Sequence, residues 1–364
     1  MTGFHGDPMR FISSLRGTLK FLRACLLRST GLIWLAKREL RRSRAVPVLT
    51  FHRVLDDGEF ALSSSLPGIL VRKRTFENFT AWITKKFEVL DLAQGAPAWD
   101  DPLQNQRIAL TFDDGWLDNY EHAAPIAVRH GAKLTIFICP GLAGQRFPFW
   151  PERVSKLMES IEPRSTLDDI FPAIHGVALL KAKEVVIETL KSMTEGERER
   201  VVQLLQAAAP LRALEDHAEP NNWTMTWDQV RRLCERGIRI GSHTFGHAIL
   251  TGLPCERVRE ELQQSRGEIE SRLGIRCITL AYPNGNHDGR VERVTEETGY
   301  NLAFTTEPGL WTRETDPFCI PRINISEPWL VGPRGRFSKA MSEYAIFWTA
   351  WRRNRSTMTA HSGR

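Results

Sequence analysis

The feature that most constrains the fold is an alternation of two periods. Short apolar runs read as strands: VPVLTFHRV (47–55), RIALTF (107–112), KLTIFICP (133–140), RIGS (239–242), ITLAYP (278–283) and LAFTT (302–306). Between them lie segments with helical spacing: TFENFTAWITKKF (75–87), with Thr75 as N-cap, NYEHAAPIAVRHGA (119–132), WDQVRRLCERG (227–237, ending at Gly237), CERVREELQQSRGEIESRLG (255–274) and GRVERVTEETGY (289–300). FEVLDL (87–92) adds a short strand. Repeated strand–helix units of this kind predict an α/β fold on a parallel sheet, either open or closed into a barrel.

The alternation stops between residues 148 and 222, where KAKEVVIETLKSMTEGERERVVQLLQAAAP keeps a helical period without strand signals. This stretch reads as a helical insertion. The chain therefore divides into a basic extension (1–44), an α/β body (45–330) carrying the insertion (148–222), and a C-terminal segment (331–364). That last segment is expected to be a helix followed by a disordered tail, because RRNRSTMTAHSGR lacks apolar periodicity.

The net charge of +6 is uneven. Between residues 10 and 44, Arg10, Arg16, Lys20, Arg23, Arg28, Lys37, Arg38, Arg41, Arg42 and Arg44 face a single acid, Glu39; without them the chain is slightly acidic. The basicity belongs to the extension, which argues against nucleic acid as the partner of the body. The extension has no run near the ~20 apolar residues of a membrane span, nor the uninterrupted apolar stretch of a signal peptide. It predicts a basic amphipathic helix, lying either on an anionic membrane surface or against the protein's own body or a partner. The six cysteines form no C-x-x-C pair, so reduced, mostly buried thiols are expected, and with them a cytoplasmic location or the cytoplasmic face of a membrane.

In parallel α/β folds the chemistry gathers at the C-terminal ends of strands. RIALTF runs into Asp113-Asp114-Gly115, RIGS into His243-Thr244-Phe245-Gly246-His247, ITLAY into Pro283-Asn284-Gly285, and VPVLTF into His52-Arg53. Two histidines four apart suit one side of a helical turn and can grip one ion. With a carboxylate they form a common set for a catalytic divalent metal, leaving positions open for water and substrate. The acid pair then divides its work: one aspartate is a ligand, and its neighbour stays free as a general base. The cation relieves their mutual repulsion. The competing reading has the aspartates capping the next helix.

With these residues in hand, the chain resembles the polysaccharide deacetylases of the NodB-homology type, carbohydrate esterase family 4. TFDDG (111–115) resembles the family's first motif, SHTFGH (242–247) its second, and AYPNG (281–285) its third; the likeness spans roughly residues 45–325. It implies a distorted (β/α) barrel of about seven parallel strands. It also implies a divalent metal, most often Zn2+ with Co2+, Ni2+ or Fe2+ as alternatives, and hydrolysis of N-acetyl groups on an acetylated glycan. Carried over, Asp114, His243 and His247 are metal ligands, Asp113 is the base, and a backbone N–H near Tyr282 serves the oxyanion. Pro283 and Asn284 belong with Tyr282 to the substrate-binding loop.

The sequence departs from the family in two places. The usual late Leu-x-His is absent, since the only histidine after His287 is His361. LTFHRV (49–54) instead resembles an early strand ending in Y-H, found in the permuted-motif subgroup that includes biofilm poly-N-acetylglucosamine deacetylases. That makes His52 the candidate general acid, the alternative being a histidine bonded to a loop. The third motif lacks an arginine before Pro283, a gap that Arg322 in PRINI would fill by reaching across to Asp113; it is grouped with the substrate-binding residues. Trp116 either lines the sugar site or belongs to the core. Beside deacetylation stand three other readings: a cyclic-amide or other C–N hydrolase, a non-haem iron oxygenase on the same ligand set, and a non-catalytic glycan-binding protein.

Overall fold

The structure, a computed structural model, describes residues 8–100, 106–211, 213–214 and 222–353, with side chains from residue 16 onward. His361 and the tail from residue 354 lie outside the described residues.

Seven strands form the path of one curled, all-parallel sheet: β1 (Val48–Phe51), β2 (Arg107–Phe112), β3 (Thr135–Ile138), β4 (Arg239–Ser242), β5 (Thr279–Ala281), β6 (Leu302–Phe304) and β7 (Ile323–Asn324), in the order β7-β1-β2-β3-β4-β5-β6. The two-residue strand Glu88–Val89 pairs off this path with Arg107 and Ile108 of β2. The register places Val48 beside Ala109, Thr135 beside Arg239 and Leu280 beside Ala303. The architecture is a distorted α/β half-barrel. Its seam is spanned by one stretch of chain: Ile320 bridges Phe304 of β6, while Ile323 and Asn324 pair with Leu49 and Thr50 of β1. β1 to β3 are buried along their whole length, as strands covered on both faces must be. Phe51, Phe76, Phe79 and Phe112 interlock beneath the helices on one side.

Several local expectations change. The run 47–55 is two strands, Val48–Phe51 and Arg53–Leu55, broken at His52. The second pairs with Leu70–Arg72 in a separate ribbon. The helix over 75–87 begins two residues earlier, at Lys73, and the Thr75 hydroxyl donates to Glu327 instead of capping it. Two of the six thiols, Cys139 and Cys277, are buried; the other four are partly exposed, and none is paired.

The insertion is helical, with helices Trp150–Ser160, Ser165–Ile170, Leu179–Lys191 and Glu195–Ala208. Val154, Leu157, Val186, Leu190, Val202 and Leu205 give it an apolar core of its own. The N-terminal segment forms α1 (Pro8–Ser29) and α2 (Leu32–Arg42). Ala24 and Ile33 pack on Met341 and Tyr344 near the C-terminus, and Ala36 and Leu40 enter the main core. Among the described residues no helix is long and apolar enough to cross a membrane.

Gly241 lies in the middle of β4, where a Cβ would sit 2.5 Å from the Phe137 ring and 2.6 Å from Thr279 Oγ1. Overpacking a filled core is destabilising, so Gly241→Ala is expected to lower stability by about 1–3 kcal/mol. A fall in the urea midpoint at unchanged m-value would show it.

Candidate active site

All four strand-end motifs converge at the C-terminal rim of the sheet. The ladder continues one residue past β2, with Asp113 N–H donating to Phe51 carbonyl, and past β4, with His243 N–H donating to Ile138 carbonyl. The loops after β2, β4 and β5 then turn through the left-handed region at residues other than glycine: Asp114 (φ 74°), Thr244 (φ 62°), His247 (φ 61°) and Asn284 (φ 57°). Such backbone is costly and concentrates at functional sites. The histidine pair therefore does not occupy the helical turn expected from its spacing. It sits on an irregular loop, tied down where Glu261 accepts the N–H groups of Phe245 and Gly246.

The reversal at Asp114 separates the two carboxylates more sharply than strand pleating would. Asp114 Oδ1 lies 3.4 Å from both His243 Nε2 and His247 Nε2. Its other oxygen accepts the Trp116 indole N–H at 2.9 Å. His243 donates from Nδ1 to the Ala281 carbonyl at 2.7 Å, which fixes the ring and turns Nε2 toward Asp114. Burial works against charge on Asp114, yet the hydrogen bonds from both histidines hold its carboxyl well below the ordinary range. Burial also disfavours the His243 imidazolium, but Asp113 and Asp114 outweigh it and raise His243; at His247 burial prevails and lowers it.

These three residues fit a metal ion. Two ligand bonds of about 2.1 Å opened near the tetrahedral angle set their donors about 3.4 Å apart, the separation seen here. The Ala281 carbonyl behind His243 and the indole behind Asp114 are the kind of supports that orient metal ligands.

Asp113 is gripped from the other side. Arg322 on the seam segment donates from Nη1 and Nη2 to its two oxygens, each at 2.7 Å, with both side chains almost wholly buried. Burial would raise this carboxyl; Arg322, with smaller help from His243 and His52, overrides it and holds it low. His52 stands at the strand break, its Nε2 3.9 Å from Asp113 Oδ2 and its side chain partly exposed. Its Nδ1 is buried without a partner.

The remaining expected residues fall differently. Trp116 is fully buried beneath the site, its ring 4.8 Å from Phe149, so it holds Asp114 instead of presenting a face to a sugar. Arg322, grouped with substrate binding, is likewise fully buried and spends its donors on Asp113, Thr111 and the Thr305 carbonyl. The Tyr282 N–H is bonded to the Phe304 carbonyl, and its ring is buried against His287. Pro283 is buried, and Asn284 is half-exposed at the rim, donating to Asn286.

Sequence reasoning missed a second layer. Arg53, fully buried, donates to Asp118 at 3.0 Å, to Ser65 at 3.0 Å and to Asn222 at 2.9 Å, and its guanidinium covers the Trp116 ring at 4.3 Å. Asn119 donates to the His52 carbonyl, fixing the strand break. Phe149, at the mouth of the insertion, wedges between Trp116 and His247. From there a groove of about 470 Å³ runs between the insertion and the histidine loop, past Trp150, Arg198 and Ala248.

Fold and site together define a half-barrel with a candidate Asp–His–His metal centre and an unligated acid beside it. The profile of the polysaccharide deacetylase family matches residues 100–164 and 205–303. YxkH of Bacillus subtilis (strain 168), a polysaccharide deacetylase by name, is 21% identical over 289 residues, covering 77% of this chain and 71% of its own. The deacetylase PplD of Streptococcus pyogenes, solved in complex with acetate, superposes with a TM-score of 0.51 at 17% identity, covering 80% of this chain and 96% of its own. A polysaccharide deacetylase from Bacillus cereus gives 0.50 at 17% identity, covering 80% and 67%. Residues 100–303 thus carry a polysaccharide deacetylase domain of the NodB-homology, carbohydrate esterase family 4 type.

Two substitutions probe this geometry. Arg322→Gln leaves a buried carboxylate uncompensated and is expected to destabilise the fold by about 3–5 kcal/mol. Adding Asp113→Asn should restore part of that loss, read from the urea midpoints of the two variants. Trp116→Phe keeps an aromatic side chain but removes the indole N–H that donates to Asp114, and should weaken zinc affinity about 10–100-fold in a competition titration.

Proposed function

We propose that this protein is a metal-dependent hydrolase that removes N-acetyl groups from N-acetylhexosamine units of a polysaccharide or glycan precursor. One observation carries the reading: the adjacent acids are split, Asp114 toward two imidazole nitrogens at 3.4 Å and Asp113 toward Arg322 and His52.

A divalent ion held by Asp114, His243 and His247 would polarise the acetyl carbonyl and lower the pKa of water at the site. Asp113, kept ionised by Arg322, accepts the proton of the attacking water on the carboxylate edge that faces His52. Because both its oxygens are held, it meets that water in one orientation, without reorganising. As the C–N bond breaks, His52 gives the proton on Nε2 to the leaving amine. Acetate and a free amino sugar result, and the proton held by Asp113 restores His52. Trp116 and Phe149 back the ligand side from below, and His52 lies partly exposed, where a leaving group can depart. Asn284 and the groove walls of the insertion are the parts of the site available to the glycan. The six free cysteines support action in the cytoplasm or at the cytoplasmic face of a membrane.

The test is acetate release from N-acetylglucosamine oligomers by chelated protein resupplied with zinc or cobalt. Asp113→Asn should lower kcat by about 10²–10⁴-fold while zinc stoichiometry stays at that of the wild type. His243→Ala should lose both. A metal-loaded wild type that turns over cyclic amides and releases no acetate would refute the glycan assignment.

A further inference from the structure

α1 and α2 are packed on one side only. Six of the thirteen exposed large hydrophobic side chains among the described residues lie within these two helices: Leu19, Leu22, Leu26, Leu32, Trp34 and Leu35. Leu19, Leu22 and Leu26 follow helical spacing along the outer face of α1, each more than half exposed. On α2, Trp34 and Leu35 share the outer face with exposed Arg38, Arg41 and Arg42, and the Arg38 guanidinium lies over the Trp34 ring. Exposed Arg16 and Arg23 flank the α1 stripe. The one acid of the region, Glu39, accepts the Trp351 indole N–H.

The charge pattern selects the occupant. A second copy docked through the same patch would set these arginines against themselves, and like charges at an interface oppose association. A surface that is negative outside and apolar within satisfies the leucines, the tryptophan and the arginines together. We propose that the outer faces of α1 and α2 form a peripheral docking surface for anionic lipid bilayers. The helices lie flat, with leucines and Trp34 at the acyl boundary and arginines among the head groups. α2 leads into the N-terminal end of β1, whereas His52 follows its C-terminal end, so docking leaves the catalytic rim untouched.

Removing residues 1–44 is an unsuitable test, because Ile33, Ala36 and Leu40 belong to the cores. The full chain is instead floated with phosphatidylcholine vesicles, with or without phosphatidylglycerol. The wild type should rise with the anionic vesicles only, and release from them at high salt. Leu22→Glu/Leu26→Glu and, independently, Arg38→Glu/Arg42→Glu should each lower the bound fraction at least about tenfold. Both variants should keep the wild-type melting temperature and acetate release from soluble oligomers. Absence of wild-type flotation at low salt would overturn the proposal, as would wild-type binding by two folded variants. A dimer in light scattering that Leu22→Glu/Leu26→Glu dissolves, without vesicle binding, would assign the face to a second copy instead.

Discussion

The bidentate pair between Arg322 and Asp113 is the interaction on which the rest of the structure depends. A carboxylate at the end of a core strand is costly to bury unless it is paired and hydrogen-bonded. Here the partner comes from the far end of the chain, on the segment that spans the seam of the sheet. Besides both oxygens of Asp113, the guanidinium reaches Thr111 on β2 and the Thr305 carbonyl just beyond β6. One side chain thus ties the first core strands to the last. Closing the half-barrel and orienting the free acid are the same event.

Much of this was legible in the sequence, for reasons that differ by residue. Asp113, Asp114, His243 and His247 announce themselves because ligand chemistry needs those residue types at strand ends, and parallel topology brings strand ends together. The contact of Arg322 with Asp113 is legible through the family resemblance: the third motif lacks an arginine before Pro283, and Arg322 in PRINI is the residue that fills the gap. Trp116 shows where such reasoning stops. An aromatic ring beside an acid pair fits a sugar platform and a hydrogen-bond support equally well, and only packing against Phe149 and Arg53 separates them. A spacing of four between histidines suits a helical turn and also an irregular loop; Thr244 and His247 at positive φ decide it. The Arg53–Asp118–Asn222 network was invisible because its members lie 65 and 169 residues apart and carry no motif.

The N-terminal extension shows the same limit from the other direction. Its amphipathic period could not say whether the apolar residues face the protein or something else, and the answer is both. Ala24, Ile33, Ala36 and Leu40 face inward, while a second set of leucines and Trp34 remains outside.

The left-handed residues connect these themes. Asp114, Thr244, His247 and Asn284 each hold a conformation that a side chain makes unfavourable, by about 1–3 kcal/mol where the surroundings enforce it. Three loops strained together would relax unless fixed from outside, and each is fixed by something distant. Trp116 and Arg53 brace the first, Glu261 on the helix Cys255–Leu273 braces the second, and Thr306 bonds the Asn284 carbonyl in the third. Phe149 then joins the first two loops by packing on both Trp116 and His247. The insertion, which interrupts the strand–helix pattern, is therefore mechanically part of the site. Loosening its core should be felt at His247 before it is felt in the sheet.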